Sequence, residues 1–301
     1  MPIYLRPASL KSALSLLAQA ARARKGRSGH PLTVLAGGTD IYPARAGKQA
    51  WLESFPRDFL DITQIPELKG IRRDGRAVLI GALTTWTELV AAKLPPAFDA
   101  LKEAALQVGG LQIQNRATLG GNIVNASPAA DGVPPLLALD AQVEIASTRG
   151  ERRVPLATFI RGNRQTDLAS DELVVALRVP LHGANSRSLF LKLGARSHLV
   201  ISIVSAALLV DQAADGAISD IRVTVGAASA VPTRLAALEA ELRGERLELA
   251  LLERVTPALF SSLTPLDDVR ASATYRRKAA RILVRRGLAA CIGPRAEELA
   301  A

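Results

Sequence analysis

The chain has 301 residues, of which 49% are apolar and 22% charged, enough to bury two compact cores. Lys and Arg exceed Asp and Glu by ten, which suits nucleic acid, an acidic partner surface or an anionic cofactor, but aromatic residues make up 4% and leave few platforms for stacked bases, so nucleic-acid binding is disfavoured. The longest apolar runs, such as Leu199 to Val210, fall short of the roughly 20 residues a membrane span needs, and a single cysteine, Cys291, rules out an internal disulfide, a zinc site or an iron–sulfur cluster held by this chain alone.

The opening residues Met1 to Arg6 lack the basic, apolar, small-residue order of a secretory signal, which predicts a cytoplasmic protein. Ser9 then leads into Leu10, Leu14 and Leu17 at helical spacing, with Ala13 and Ala21 beside them, predicting a helix over 9–23 that Gly26 and Gly29 end. Residues 32–36 read as a short strand running into Gly37-Gly38, and 58–62 as a second strand. Asp74-Gly75 separates 70–73 from 77–80 as the dipeptide of a tight hairpin with positive φ at both turn positions. Thr85 and Glu88 have capping-box spacing for a helix running through Ala92, and 98–108 form another helix. Residues 142–148 and 152–154 flank Arg149-Gly150 as a hairpin, and Leu173 to Val179 makes a further strand.

Residues 181–187 have linker composition. Beyond them, strands at 188–193, 201–210 and 218–228, with a turn at Asp215-Gly216, precede helices at 234–243, 247–255 and 272–289. This predicts a second domain, a three-stranded antiparallel sheet covered by helices.

Two segments carry chemistry. Val34, Leu35, Ala36, Gly37, Gly38, Thr39, Asp40 and Ile41 form a strand emptying into two glycines, a hydroxyl and a carboxylate. Adjacent glycines let backbone N–H groups converge on an anion such as a pyrophosphate, although an ordinary turn capped by Thr39 or Asp40 fits the same residues. Thr118, Leu119, Gly120, Gly121 and Asn122 repeat the logic and lead into a polar loop ending at Asp131, a carboxylate suited to ribose hydroxyls. Two such nests imply one long ligand. Neither is a GxGxxG strand-turn-helix or a Walker loop, so those nucleotide folds are disfavoured.

The ordered motifs AGGTD, IQNRATLGGNIVNASPAAD and LLALDAQVEI, then KLGAR and DVRASATYRR, resemble the FAD-binding (medium) subunit of the xanthine dehydrogenase and carbon monoxide dehydrogenase family of molybdenum hydroxylases over nearly the whole chain. The resemblance implies an α+β architecture: a two-subdomain FAD-binding fold of the vanillyl-alcohol oxidase (PCMH) type at 1–180, with subdomains of about 1–56 and 57–180, and a carbon monoxide dehydrogenase flavoprotein C-terminal type domain at 187–290. It implies that Val34 to Ile41 wrap the FAD pyrophosphate and that Thr118 to Asn122 form the second phosphate loop. By the same carry-over, Asp131 binds a ribitol or ribose hydroxyl, Val174 gives a backbone or apolar contact, and Lys192 lies close to the flavin or pyrophosphate.

Val108 stands where some relatives place an aromatic residue against the adenine, which implies a looser contact, and Val200 stands where many have an acid. The implied partners are a large subunit with a molybdenum pterin cofactor and a small subunit with two [2Fe–2S] clusters, in a dimer of heterotrimers that discharges electrons to NAD, oxygen or another carrier. A free-standing FAD reductase of the UDP-N-acetylenolpyruvylglucosamine type is the alternative, although no proton donor for it stands out.

Of the histidines, His30, His182 and His198, none lies in a nucleophile-elbow context. Arg276, Arg277, Lys278, Arg281, Arg285 and Arg286 give the last helix a basic face that either docks an acidic partner or is solvated.

Overall fold

The computed structural model describes residues 3–23, 32–54 and 57–293; Gly26, Gly29 and His30 lie outside them. Strands β1 (Tyr4–Leu5), β2 (Leu32–Leu35) and β3 (Asp58–Asp61) form a parallel sheet in the order β1-β3-β2. Parallel neighbours need crossovers, and helices supply them. The helix Leu10–Ala23 buries Ala13, Leu14, Leu17 and Ala18 as its spacing predicts. The second crossover, the helix Ile41–Ala50, was invisible to the apolar pattern because it buries no residue.

Strands β4 (Ile71–Asp74), β5 (Ala77–Gly81), β6 (Gln142–Ser147) and β7 (Gly150–Pro155) come next, followed by the small hairpin β8 (Ile160–Gly162) and β9 (Gln165–Thr166), and then β10 (Leu173–Pro180). They build an antiparallel sheet in the order β4-β5-β10-β6-β7, with β8 and β9 paired separately. The β4–β5 hairpin forms, but its turn residues are Gly75 and Arg76, because Asp74 already pairs with Ala77; Gly75 takes the positive φ of 58° and Arg76 takes none. Likewise Gly150 belongs to β7, paired with Ser147, so Thr148 and Arg149 make that turn. Between β5 and β6 run the helices Trp86–Ala91, Asp99–Leu106, Leu111–Gln114, Leu119–Asn125 and Val133–Ala138. The first is opened by the Thr85–Glu88 capping box, with both reciprocal bonds present.

Strands β11 (Arg187–Leu193), β12 (Val204–Gln212), β13 (Ile218–Gly226) and β14 (Thr233–Arg234) form the third sheet. It has four strands where three were expected, since Thr233 and Arg234 pair with Val225 and Thr224 over too short a run to leave a period-2 signal. Alternation along β12 divides its side chains between two cores: Val204, Ala206, Leu208 and Val210 pack with Leu283, Val284 and Leu288 of the helix Ala273–Ile292, whereas Ala207 and Leu209 join Phe190 against the helices before β6. Glu103 accepts the Phe190 amide at 2.6 Å and Ser188 Oγ donates to the Ala97 carbonyl at 2.8 Å, tying the third sheet to the helix layer. Region 247–255, expected as a helix, is 3-10 over Leu249–Arg254.

Candidate functional site

A cavity of about 610 Å3 opens where the carboxyl end of β2 faces the start of the helix Leu119–Asn125. Its first wall is Val34, Ala36, Gly37, Gly38, Thr39, Asp40 and Ile41. The carbonyls of Gly38 and Asp40 accept from Tyr42 and Ala44, at 3.0 and 3.2 Å, as the helix Ile41–Ala50 begins. Among the described residues the amides of Gly37, Gly38, Thr39 and Asp40 have no acceptor. They are the free N–H groups that precede and open a helix, where the backbone dipole also favours negative charge. Gly38 bends the chain at a φ of 75°. Gly37 is glycine for a different reason: a Cβ there would collide with the Arg116 carbonyl oxygen and lie 2.7 Å from its carbon. The two loops are therefore in backbone contact across the cavity floor.

The second wall brings Thr118, Gly120, Gly121 and Asn122 to the same cavity. Here the expectation of a second amide nest is corrected. Thr118 caps the helix Leu119–Asn125 by accepting the Gly121 amide at 3.1 Å, while the amides of Leu119, Gly120 and Asn122 donate to Thr84, Ala82 and Thr118 carbonyls at 2.9–3.0 Å. Of this loop's amides, that of Thr118 alone has no acceptor among the described residues. Gly120 is required by packing, since a Cβ would sit 2.7 Å from the Ala82 carbonyl oxygen. What the loop offers the cavity is side chains and a bare glycine surface.

Val108 and Val174 also line the cavity. Leu35 and Leu119 do not; they are 4% and 0% exposed and turn into the cores, as alternation along β2 and the helical period require. Asp131 and Lys192 are off the lining too. They pair with each other at 2.6 Å, with side chains 8% and 5% exposed. Lys192 Nζ donates to the Gln107 carbonyl at 3.2 Å and Ser202 Oγ donates to Asp131 at 2.5 Å. Because Gln107 precedes Val108 and Ser202 follows Ile201, both on the lining, this cluster braces two cavity walls from behind. Burial pushes the Asp131 carboxyl above the ordinary aspartate range, opposed by the Lys192 ammonium and the Ser202 hydroxyl.

Among the lining residues that the sequence reading missed are Ile62, Trp86, Ile113, Asn125, Leu168 and Ile201. Asn125 Nδ2 donates to Asp40 Oδ1 at 3.0 Å, joining the two walls. Trp86 Nε1 and Asn122 Oδ1 are buried without a hydrogen-bond partner. Trp86 had a signal, its place directly after the Thr85 cap; the others come from separate elements. His198 is exposed and off the cavity. Arg276 is 4% exposed and bonds Ile203 and Ala227 carbonyls, so it belongs to the core and not to a basic surface.

The family of FAD-binding domains in molybdopterin dehydrogenases matches residues 1–182, and that of CO dehydrogenase flavoprotein C-terminal domains matches 190–291. The chain belongs to the molybdopterin dehydrogenase FAD-binding family. It is 32% identical to the xanthine dehydrogenase FAD-binding subunit of Escherichia coli O157:H7, over 91% of this chain and 90% of that one. It is 31% identical to the nicotinate dehydrogenase FAD-subunit of Eubacterium barkeri, over 83% and 84%. The structure of reconstituted CO dehydrogenase from Oligotropha carboxidovorans superposes with a TM-score of 0.84 at 27% identity, covering 96% of both chains.

The protein is thus an oxidoreductase flavoprotein subunit of the xanthine and CO dehydrogenase type, with a mixed α/β fold. The free-standing reductase alternative is not favoured, because the second family match accounts for nearly all of the third sheet and last helix. The residues present fit FAD. Four unpartnered amides suit a pyrophosphate, the apolar walls suit a planar ring system, and the volume lies within the range of cofactor sites. No helix among the described residues is long and apolar enough to cross a membrane.

Proposed function

We propose that this subunit holds FAD in the cavity between β2 and the helix Leu119–Asn125, takes electrons from the [2Fe–2S] clusters of a small partner subunit, and passes them to an external acceptor, NAD, oxygen or another carrier. The observation that carries this reading is the run of four unpartnered amides, Gly37 to Asp40, opening onto an apolar cavity. They would receive the pyrophosphate, with Val34, Ala36 and Ile41 beside it. Thr118, Gly120, Gly121 and Asn122 would flank the ligand from the opposite wall, Val174 would give an apolar contact to the ring system, and Val108 would leave the adenine loosely held. Asp131 and Lys192 would act by bracing the walls, through Ser202 and Gln107 respectively, with Asp131 turned to a ribityl or ribose hydroxyl when the ligand binds.

FAD, when bound, supplies the exchange between single electrons and pairs, while the chain supplies position and electrostatics. The substrate is oxidised on a large subunit carrying the molybdenum pterin cofactor, in a dimer of heterotrimers in the cytoplasm. The CO dehydrogenase structure and the nicotinate dehydrogenase and xanthine dehydrogenase FAD-binding subunits among the relatives support membership of a multi-subunit complex. Within the chain, residues 1–180 form a PCMH-type FAD-binding domain, divided near residue 56, and 187–290 form the C-terminal domain. The test is to mix FAD-loaded chain with the chemically reduced small subunit of its own complex and follow flavin absorbance. Stoichiometric bleaching supports the proposal; an unchanged flavin spectrum contradicts it.

A further inference from the structure

The hairpin β8–β9 carries Arg164 at its tip with a φ of 54°, a left-handed conformation that costs any residue with a side chain and that turns and functional sites retain. Its amide donates to the carbonyl of Ala126 at 2.9 Å, and Ala126 is itself left-handed at a φ of 46°. Two strained residues are thus bonded to each other at the end of the helix Leu119–Asn125, beside the cavity. The guanidinium they fix in place donates from Nη1 to Asn125 Oδ1 at 2.7 Å, and Asn125 lines the cavity and holds Asp40.

Five other arginines between positions 149 and 178 are paired with carboxylates. Arg149 pairs with Asp171, Arg152 with Asp167 and Glu172, Arg153 with Glu144, Arg161 with Asp167, and Arg178 with Asp74 and Glu144. Arg164 is exposed, and among the described residues it has no carboxylate partner. An exposed forked cation anchored by one donor to a neutral amide keeps N–H groups with which to receive an oxyanion in two-point fashion.

We propose that Arg164 is an anion-binding residue at the rim of the FAD cavity, taking a phosphate-type or similarly charged group. The inference rests on the FAD site proposed above. The anion has two sources: the pyrophosphate of the bound dinucleotide, or a negatively charged electron acceptor arriving from solution. Arg164 is exposed and bonded to Asn125, which lines the cavity, so a solution anion can reach it.

The experiment uses the full chain with Arg164→Gln, and with Arg164→Lys to restore charge without the fork. First, FAD and riboflavin affinities are measured by flavin fluorescence. Second, the FAD-loaded chain is reduced with dithionite and mixed with ferricyanide, a trianion, or with the N-methylphenazinium cation, and flavin absorbance is followed as salt is raised. Each ferricyanide takes one electron, and the released protons pass to solvent.

If the pyrophosphate is the anion, Arg164→Gln weakens FAD about tenfold and leaves riboflavin unchanged. If an acceptor is the anion, ferricyanide oxidation slows by about three- to tenfold at low salt, the cationic dye is unaffected, and Arg164→Lys recovers part of the rate. Equal FAD affinity together with equal ferricyanide rates would overturn the proposal. Folding of the variants is read from their circular dichroism, and Arg164→Gly, which relieves the positive φ, keeps the test valid should Arg164→Gln misfold. A wild-type chain that binds no FAD would refute the cofactor reading itself, a different result from FAD-bound variants that show no charge preference.

Discussion

Substituting Gly37 by alanine probes the contact on which the cavity is built. The added Cβ would collide with the Arg116 carbonyl oxygen, lie 2.7 Å from the Arg116 carbon and 3.0 Å from the Ala117 Cα. All three are backbone atoms, so no rotamer change relieves the overlap and the two loops must separate. Overpacking a tight contact costs about 1–3 kcal/mol, and an obstacle of backbone places this site at the upper end. For a chain of this size each kcal/mol lowers Tm by about 2–4 °C, so a fall of about 4–12 °C is expected.

The same separation moves the amides of Gly37 to Asp40 relative to Asn122 and Val174, so FAD affinity falls by about tenfold or more, equivalent to at least about 1.4 kcal/mol. Gly47→Ala is the control: its Cβ meets nothing within 4 Å, in the exposed helix Ile41–Ala50. That variant gains about 0.5–1 kcal/mol from the lost backbone freedom of glycine and leaves FAD binding alone. Thermal unfolding and fluorescence titration of the three proteins decide the matter. A Gly37→Ala chain with wild-type Tm and wild-type FAD affinity would refute the reasoning.

Lys192→Met leaves Asp131 buried without its ion-pair partner and should cost about 3–5 kcal/mol, part of which Asp131→Asn restores; chemical denaturation around the double-mutant cycle measures the coupling, and simple additivity contradicts it. Glu172 is held below the ordinary glutamate value of 4.5 by hydrogen bonds from Arg152, against the opposing effect of burial. A depressed carboxyl stabilises the fold above its unfolded pKa and loses that contribution as pH falls, so the wild-type Tm should drop on acidification through pH 4.5 and Glu172→Gln should flatten that drop. Burial pushes the Cys291 thiol up to about 11, so it should react with iodoacetamide at neutral pH far more slowly than in the denatured chain; comparable rates would place the thiol at the surface.

Much of the frame was legible because its signals are local. The helix Leu10–Ala23 follows from leucine spacing, the Thr85–Glu88 cap from a tetrapeptide, and the strand β10 from an apolar run ending at proline. What escaped depends on partners distant in sequence. The helix Ile41–Ala50 has no buried stripe to announce it, and it is the element that leaves the Gly37–Asp40 amides free. The second glycine pair reads the same as the first in sequence, yet Ala82 and Thr118 consume its amides. Asp131 and Lys192 were placed near the ligand by family resemblance; the structure has them bonded to each other, a pairing across sixty-one positions that no motif encodes.

The central claim is that this chain holds FAD through the amides of Gly37 to Asp40. The visible absorption spectrum of the purified chain, with identification of the chromophore released on denaturation, tests it most directly. The account predicts oxidised FAD near one per chain. A colourless chain that takes up no added FAD would contradict it.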